Sequence, residues 1–158
     1  MDDISKRLGC SKKTLYNHFT NRRDLVLKVI SVDMKKHENE IYKVLSERLH
    51  PIDEIFKLNK IAISKIKTIH PSAQYDLKKY YPQSWDIFDK KNKQLSYKVS
   101  IKNLKEGIKK GCYRKEINPE IMSKIFAERI DLVFNGLLFK ASDVSFSEVF
   151  NEMINHYI

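Results

Sequence analysis

The chain has 158 residues, 42% of them hydrophobic and 32% charged, which suits one globular domain or a small head on a larger body and excludes a disordered chain. Its two cysteines, Cys10 and Cys112, far apart in sequence, argue against a disulfide framework and a four-ligand zinc site, and no apolar run approaches the roughly eighteen residues of a membrane span. The formal charge of +10 favours an anionic partner, although 24 of the 30 basic residues are Lys, as an AT-rich genome supplies without selection for binding. The distribution is more informative: 11 basic to 7 acidic over residues 1–50, 14 to 6 over 51–111, and 5 to 7 over 112–158. No secretory start is present, and a cytoplasmic location is expected.

Helical periodicity runs through the whole chain, while period-two alternation is scarce, so an all-α protein is predicted. Residues 2–8 form a short helix with Ile4 and Leu8 on one face, stopped by Gly9. Ser11 caps a second helix through about Phe19, with Leu15 and Phe19 inward, and Asn21 caps a third. That third helix carries a continuous stripe from Val26 to Leu45 and is expected to reach about Leu49. Pro51 opens the next, with Ile55, Asn59, Ile63 and Ile69 on its apolar side; Pro71 opens a shorter one, ended by Pro82. From about Ser84 to Lys110 the stripe changes side: Trp85, Phe88, Leu95 and Val99 share one face, and Tyr97, Ile101, Leu104 and Ile108 the opposite one. Such a helix must pack on both sides or bend. Asn118-Pro119 begins a helix to about Ala141 that is apolar nearly all round. Ser145 with Glu148 is a capping box that opens the last helix.

The chemistry concentrates in DDISKRLGCSKKTLYNHFTNRRD, residues 2–24. Two short helices joined by a tight glycine turn, with Ile4, Leu8, Leu15 and Phe19 sealing the angle between them, make a helix-turn-helix layout. The second helix carries cationic, hydroxyl, phenol and amide groups, which suit phosphate clamping and base-edge readout. This string resembles the DNA-binding signature of the TetR family of bacterial transcriptional regulators, at Asp3, Ile4, Lys6, Arg7, Leu8, Gly9, Ser11, Lys12, Thr14, Leu15, Tyr16, His18, Phe19, Asp24 and Leu25. The segments YYPQSW and EGIKKGCYRKEINPE are more loosely similar to the family's regulatory body.

The resemblance implies a helix-turn-helix head over residues 1–25, continuing into the long helix, and a helical effector-binding and dimerisation body over 26–158. It implies a homodimeric, ligand-responsive repressor that binds a palindromic operator. By position, Lys12, Lys13, Thr14 and Asn17 become the groove and base contacts, and Tyr16, His18 and Arg22 the phosphate contacts. Lys13 stands where the family usually has Gly, and Asn17 where it usually has an aromatic residue. The family carries a further helix ahead of this segment, and the chain starts where the second begins. The first helix is thus expected to be missing, leaving the inward faces of Ile4, Leu8, Leu25 and Val29 without a partner. The alternative is an effector-binding, dimerising protein that has lost DNA binding.

An effector cavity is expected between the helices of 21–49, 52–69 and 84–110. His37 and Asn59 interrupt apolar stripes, and Tyr80, Tyr81, Trp85 and Phe88 offer aromatic walls. Core packing is the plainer reading of each of these six. Phe126, Ile130, Phe134, Leu137, Val149 and Met153, on the last two helices, are the expected dimer contacts. The five histidines show no metal-ligand spacing, no nucleophile, paired-carboxylate or phosphate-loop motif stands out, and neither cofactor nor catalysis is expected.

Overall fold

The computed structural model describes residues 1–68, 71–134, 145–156 and 158, apart from the side chains of 66, 67, 71, 129–134, 146 and 147. Among the described residues there are eight helices and no strand. They are α1 (Asp2–Leu8), α2 (Lys12–His18), α3 (Arg22–Ser46), α4 (Pro51–Thr68), α5 (Pro71–Tyr80), α6 (Pro82–Lys109), α7 (Pro119–Phe134) and α8 (Phe146–Asn155). No helix among them is long and apolar enough to cross a membrane.

The boundaries have local causes. Gly9 ends α1 in the left-handed conformation at φ 62°, which only glycine adopts cheaply. The side chains of Ser11 and Asn21 accept the Thr14 and Asp24 backbone N–H groups and so cap α2 and α3. Asn118 Oδ1 accepts from the N–H groups of Glu120 and Ile121, both at 3.1 Å, and the Ser145–Glu148 capping box is complete. Pro82 lies in the first turn of α6 instead of merely ending α5, because its missing N–H costs nothing there. The third helix stops at Ser46, short of the expected Leu49; Arg48 turns the chain at φ 51°, and Leu49 packs as a connector residue.

The helix α6 organises the body. It touches α3, α4, α5 and α7, most extensively α7. Its two apolar faces serve two separate cores. Leu104 and Ile108 join Ile55, Tyr113, Phe126 and Ile154, while Leu95 and Val99 join Val44 and Leu58. The change of stripe thus marks a central helix with partners on both sides.

A buried polar knot fixes the start of α4 against α6. Asn103 Nδ2 donates to the Pro51 carbonyl and to Glu54 Oε1, both at 2.9 Å. The Tyr113 hydroxyl lies 2.9 Å from Asn103 Oδ1 and 3.0 Å from the Pro51 carbonyl oxygen, sharing its proton between them. The Tyr113 ring lies directly over Gly107, where a Cβ would overlap it. Gly107 is needed here for close approach, not for backbone freedom.

Two sequence expectations are corrected. Ile4 and Leu8 do not seal the helix-turn-helix angle: they are 36% and 66% exposed, because α1 turns Ser5 inward instead. Only Leu15 is buried, with Phe19 half-buried beside it. Phe126 is not a subunit-surface residue either, since its side chain is fully enclosed in the chain's own core. Val149 and Met153 are half-buried, and Met153 packs against that same core. Ile130 and Phe134 fall within α7 but their side chains lie outside the described set, as does Leu137 entirely.

Candidate nucleic-acid interface

The second helix is a platform held from below. Leu15, 5% exposed, is its one buried side chain. Every other residue from Lys12 to His18 faces solvent. Lys13 and Asn17 stand two residues either side of Leu15, about 200° round the helix, and so project directly away from the body. Tyr16, 51% exposed, lies on the flank of that face. Lys12, Lys13, Thr14, Tyr16, Asn17, His18 and Arg22 are therefore all accessible together, six on α2 and one at the first position of α3.

Neighbouring groups orient several of them. Ser11 Oγ accepts the Thr14 N–H at 3.0 Å and lies 2.9 Å from the Thr14 hydroxyl, which fixes that rotamer. Lys12 is paired with Asp2 of α1. Both partners are largely exposed, and such a pair is worth only about 0–1 kcal/mol, so Lys12 can exchange Asp2 for a phosphate at little cost.

The rear of the platform depends on a residue outside the expected set. Lys28 Nζ donates to the His18 carbonyl and to Asp24 Oδ2, each at 3.0 Å, and lies 5.3 Å from the centre of the Phe19 ring. It thus ties the carboxyl end of α2 to the first turns of α3. Its i, i+4 spacing from Asp24 is the sequence signal that points to it. Asp24 also accepts the Thr20 N–H at 3.0 Å. The Lys28 bond first, then the Thr20 N–H, hold its carboxyl below the usual carboxylate range. Arg23 stands exposed beside Arg22 at the amino end of α3, where free backbone amides and the helix dipole also favour an anion.

The expected effector residues separate into two groups. His37 and Asn59 border one cavity of about 70 Å³ between α3, α4 and α6, with Ile41, Leu58, Leu95 and Val99. Asn59 is 2% exposed, and His37 Nδ1 is buried without a hydrogen-bond partner among the described residues. Burial, then the Lys65 cation, pushes the His37 imidazole below the usual histidine range. The four aromatic residues do not line that cavity. Trp85 and Phe88 pack against each other at 5.5 Å between ring centres, Lys78 covers Trp85 at 4.5 Å, and Tyr80 is 56% exposed. Tyr81 is half-buried at the start of α6. The aromatic cluster belongs to the α5–α6 junction: Trp85 and Phe88 lie in the first turns of α6, ahead of the stretch from Asn92 to Ser100 that lines the cavity.

An exposed polar helix on a helix-turn-helix head, above an all-α body, defines a DNA-binding transcriptional regulator. Residues 1–29 match the family described as bacterial regulatory proteins, tetR family. Over 138 residues the chain is 25% identical to the uncharacterized HTH-type transcriptional regulator YvaF of Bacillus subtilis (strain 168), covering 85% of this chain and 70% of that protein. No solved structure matches it. The head of the chain, residues 1–29, is thus similar to the DNA-binding segment of the TetR family, and the likeness to a transcriptional regulator extends over most of the chain.

Proposed function

We infer that this regulator is a ligand-responsive repressor that binds a palindromic operator as a homodimer. Residues 1–25 are its reading head, and residues 26–158 its effector-binding and dimerisation body. The observation that carries the DNA half of this reading is the joint exposure of Lys12, Lys13, Thr14, Tyr16, Asn17, His18 and Arg22 on a platform anchored by Leu15 and Lys28. Phosphate contacts supply affinity and register, and base-edge contacts supply sequence preference. Tyr16, His18 and Arg22 take the first role, joined by Lys12 from the groove edge where it exchanges Asp2 for a phosphate, and Asn17, whose amide matches adenine N6 and N7, takes the second.

The effector half rests on the cavity bordered by His37 and Asn59. Polar groups inside an apolar wall are costly in a solid core and useful in a ligand site. A ligand seated there would press α3 away from α4 and α6. Because α3 begins at the reading head, its movement would misalign two heads that must fit successive major grooves about 34 Å apart. Ligand and operator would then weaken each other's binding reciprocally, by about 1–3 kcal/mol.

Dimerisation through α7 and α8 is the natural partner of this scheme. Ile121 and Ile125 of α7, 56% and 43% exposed, are one turn apart and present an apolar strip on the outside of the body. The low charge of the last third spares two basic chains mutual repulsion there. Selection of bound sequences from random duplexes tests the whole reading: it should return an inverted repeat, whereas an unrepeated site rejects the dimer. Failure to retain any duplex would reject DNA binding and leave an effector-binding, dimerising protein.

A further inference from the structure

On the solvent side of His37, α3 and α4 enclose a second space, an open groove of about 500 Å³. The first of its walls brings Asp33, Lys36 and Glu40 from α3, and the second Lys57, Lys60 and Lys65 from α4. The charges are partly spent. Lys65 is bonded to Asp33, and Lys57 to Glu47 just outside the groove. Counting Glu47, four ammonium groups meet three carboxylates, and Lys36 and Lys60 have no ion-pair partner among the described residues. Two cations without ion-pair partners on facing walls, against the one carboxylate of Glu40 left in the groove, leave a positive excess that attracts a small anion.

The lining is not only charged. Ile61 and the lysine stems give the groove an apolar floor, and His37 borders both this groove and the inner cavity of about 70 Å³. That cavity has room for several waters or for a short aliphatic chain. Its walls, Ile41, Leu58, Leu95 and Val99 with Asn59, carry no charge. His37 is the residue the two linings share. Its buried Nδ1 has no hydrogen bond among the described residues, so nothing holds the ring through that atom against a change of rotamer.

We propose that the groove and the cavity behind His37 form a single site for a small aliphatic carboxylate. The carboxylate sits between Lys36 and Lys60, and the chain passes His37 into the inner cavity. This rests on the reading of the body as effector-binding, and narrows it to one chemical class. The basic groove selects the head group, the uncharged cavity limits the chain to a few carbons, and the swing of His37 joins them.

Titration calorimetry on the full chain with hexanoate, hexanol, hexylamine and acetate tests this. Hexanoate should bind at least tenfold more tightly than any of the other three. In the double variant Lys36→Gln, Lys60→Gln, whose changes lie at exposed positions, hexanoate affinity should fall at least tenfold while hexanol is unaffected. Equal affinity for hexanol, equal affinity for acetate, or an unchanged hexanoate affinity in the double variant would each overturn the proposal. If hexanol alone binds and also loosens operator DNA, the carboxylate is wrong and the effector-binding body stands. If none of the four binds at millimolar concentration to protein whose circular dichroism shows it folded, the carboxylate site does not exist.

Discussion

On the proposed reading, the side chains of α2 divide into those that hold DNA and those that read it. Replacing Lys12 and Tyr16 by Ala should weaken binding about equally on all sequences and lower the salt slope by about 1 for each phosphate no longer engaged; replacing Asn17 should cost about 1–3 kcal/mol and relax preference at one base pair. Fluorescence anisotropy over a salt series, with single-base operator variants, separates the two. Lys28→Met should resemble a positioning loss: reduced affinity with unchanged base preference, since the Lys28 ammonium is bonded to the His18 carbonyl and to Asp24. His37 sets an acid limit on stability. Its folded value lies below its unfolded value of about 6.5, so the unfolded chain binds the extra proton and stability falls as pH drops through that range. Urea midpoints measured from pH 7.5 to 5 should decline, and the decline should be shallower in His37→Gln. An equal decline in both would show that other groups carry it. Gly107→Ala should destabilise by about 1–3 kcal/mol through overlap with the Tyr113 ring. Thermal unfolding measures it, and pairing it with Tyr113→Ala should give a smaller loss than the two single costs added, because the overlap is then gone.

Elements reveal what periodicity carries and what it does not. The caps at Ser11, Asn21, Asn118 and Ser145 are local, so each is directly readable. The two-faced stripe of α6 also translates into structure, since a helix with opposite apolar faces has only one cheap solution, burial on both sides. Rotation of a short helix is not legible. Nothing local in residues 2–8 says that Ser5, and not Ile4 and Leu8, turns inward; that depends on what packs above α1. The knot of Asn103, Tyr113, Glu54 and Pro51 is equally invisible, because its members lie up to 62 residues apart and each alone looks like a surface or core residue. Phe126 shows the same limit: an all-round apolar helix does not declare which side faces its own core. The proposed dimer is better tested at the outer strip of α7. Ile121→Asp with Ile125→Asp should lower the sedimenting mass to that of one chain while preserving helicity, and Phe126→Asp should instead unfold the protein. A dimer undisturbed by the double change would place the interface elsewhere.

The whole molecule combines a basic reading head, a central helix that joins two cores, and a less charged end suited to self-association. Its net charge of +10 is no more than a lysine-rich composition supplies. What distinguishes binding from mere basicity is the arrangement of polar groups on α2. The joint exposure of seven residues at the head is legible from the signature, since those positions alternate with Leu15 and Phe19 at helical spacing. Of the six expected effector residues, only His37 and Asn59 border the cavity. Trp85 and Phe88 belong to the first turns of α6, while the cavity is lined further along that helix, from Asn92 to Ser100. The most direct test of the account is duplex binding by the intact chain and by its Lys12→Ala, Tyr16→Ala variant between about 50 and 200 mM salt, the range over which phosphate-dominated binding collapses. The account predicts affinity that falls steeply with salt and is reduced at every salt concentration in the variant. Binding independent of salt, or identical in the two proteins, would contradict it.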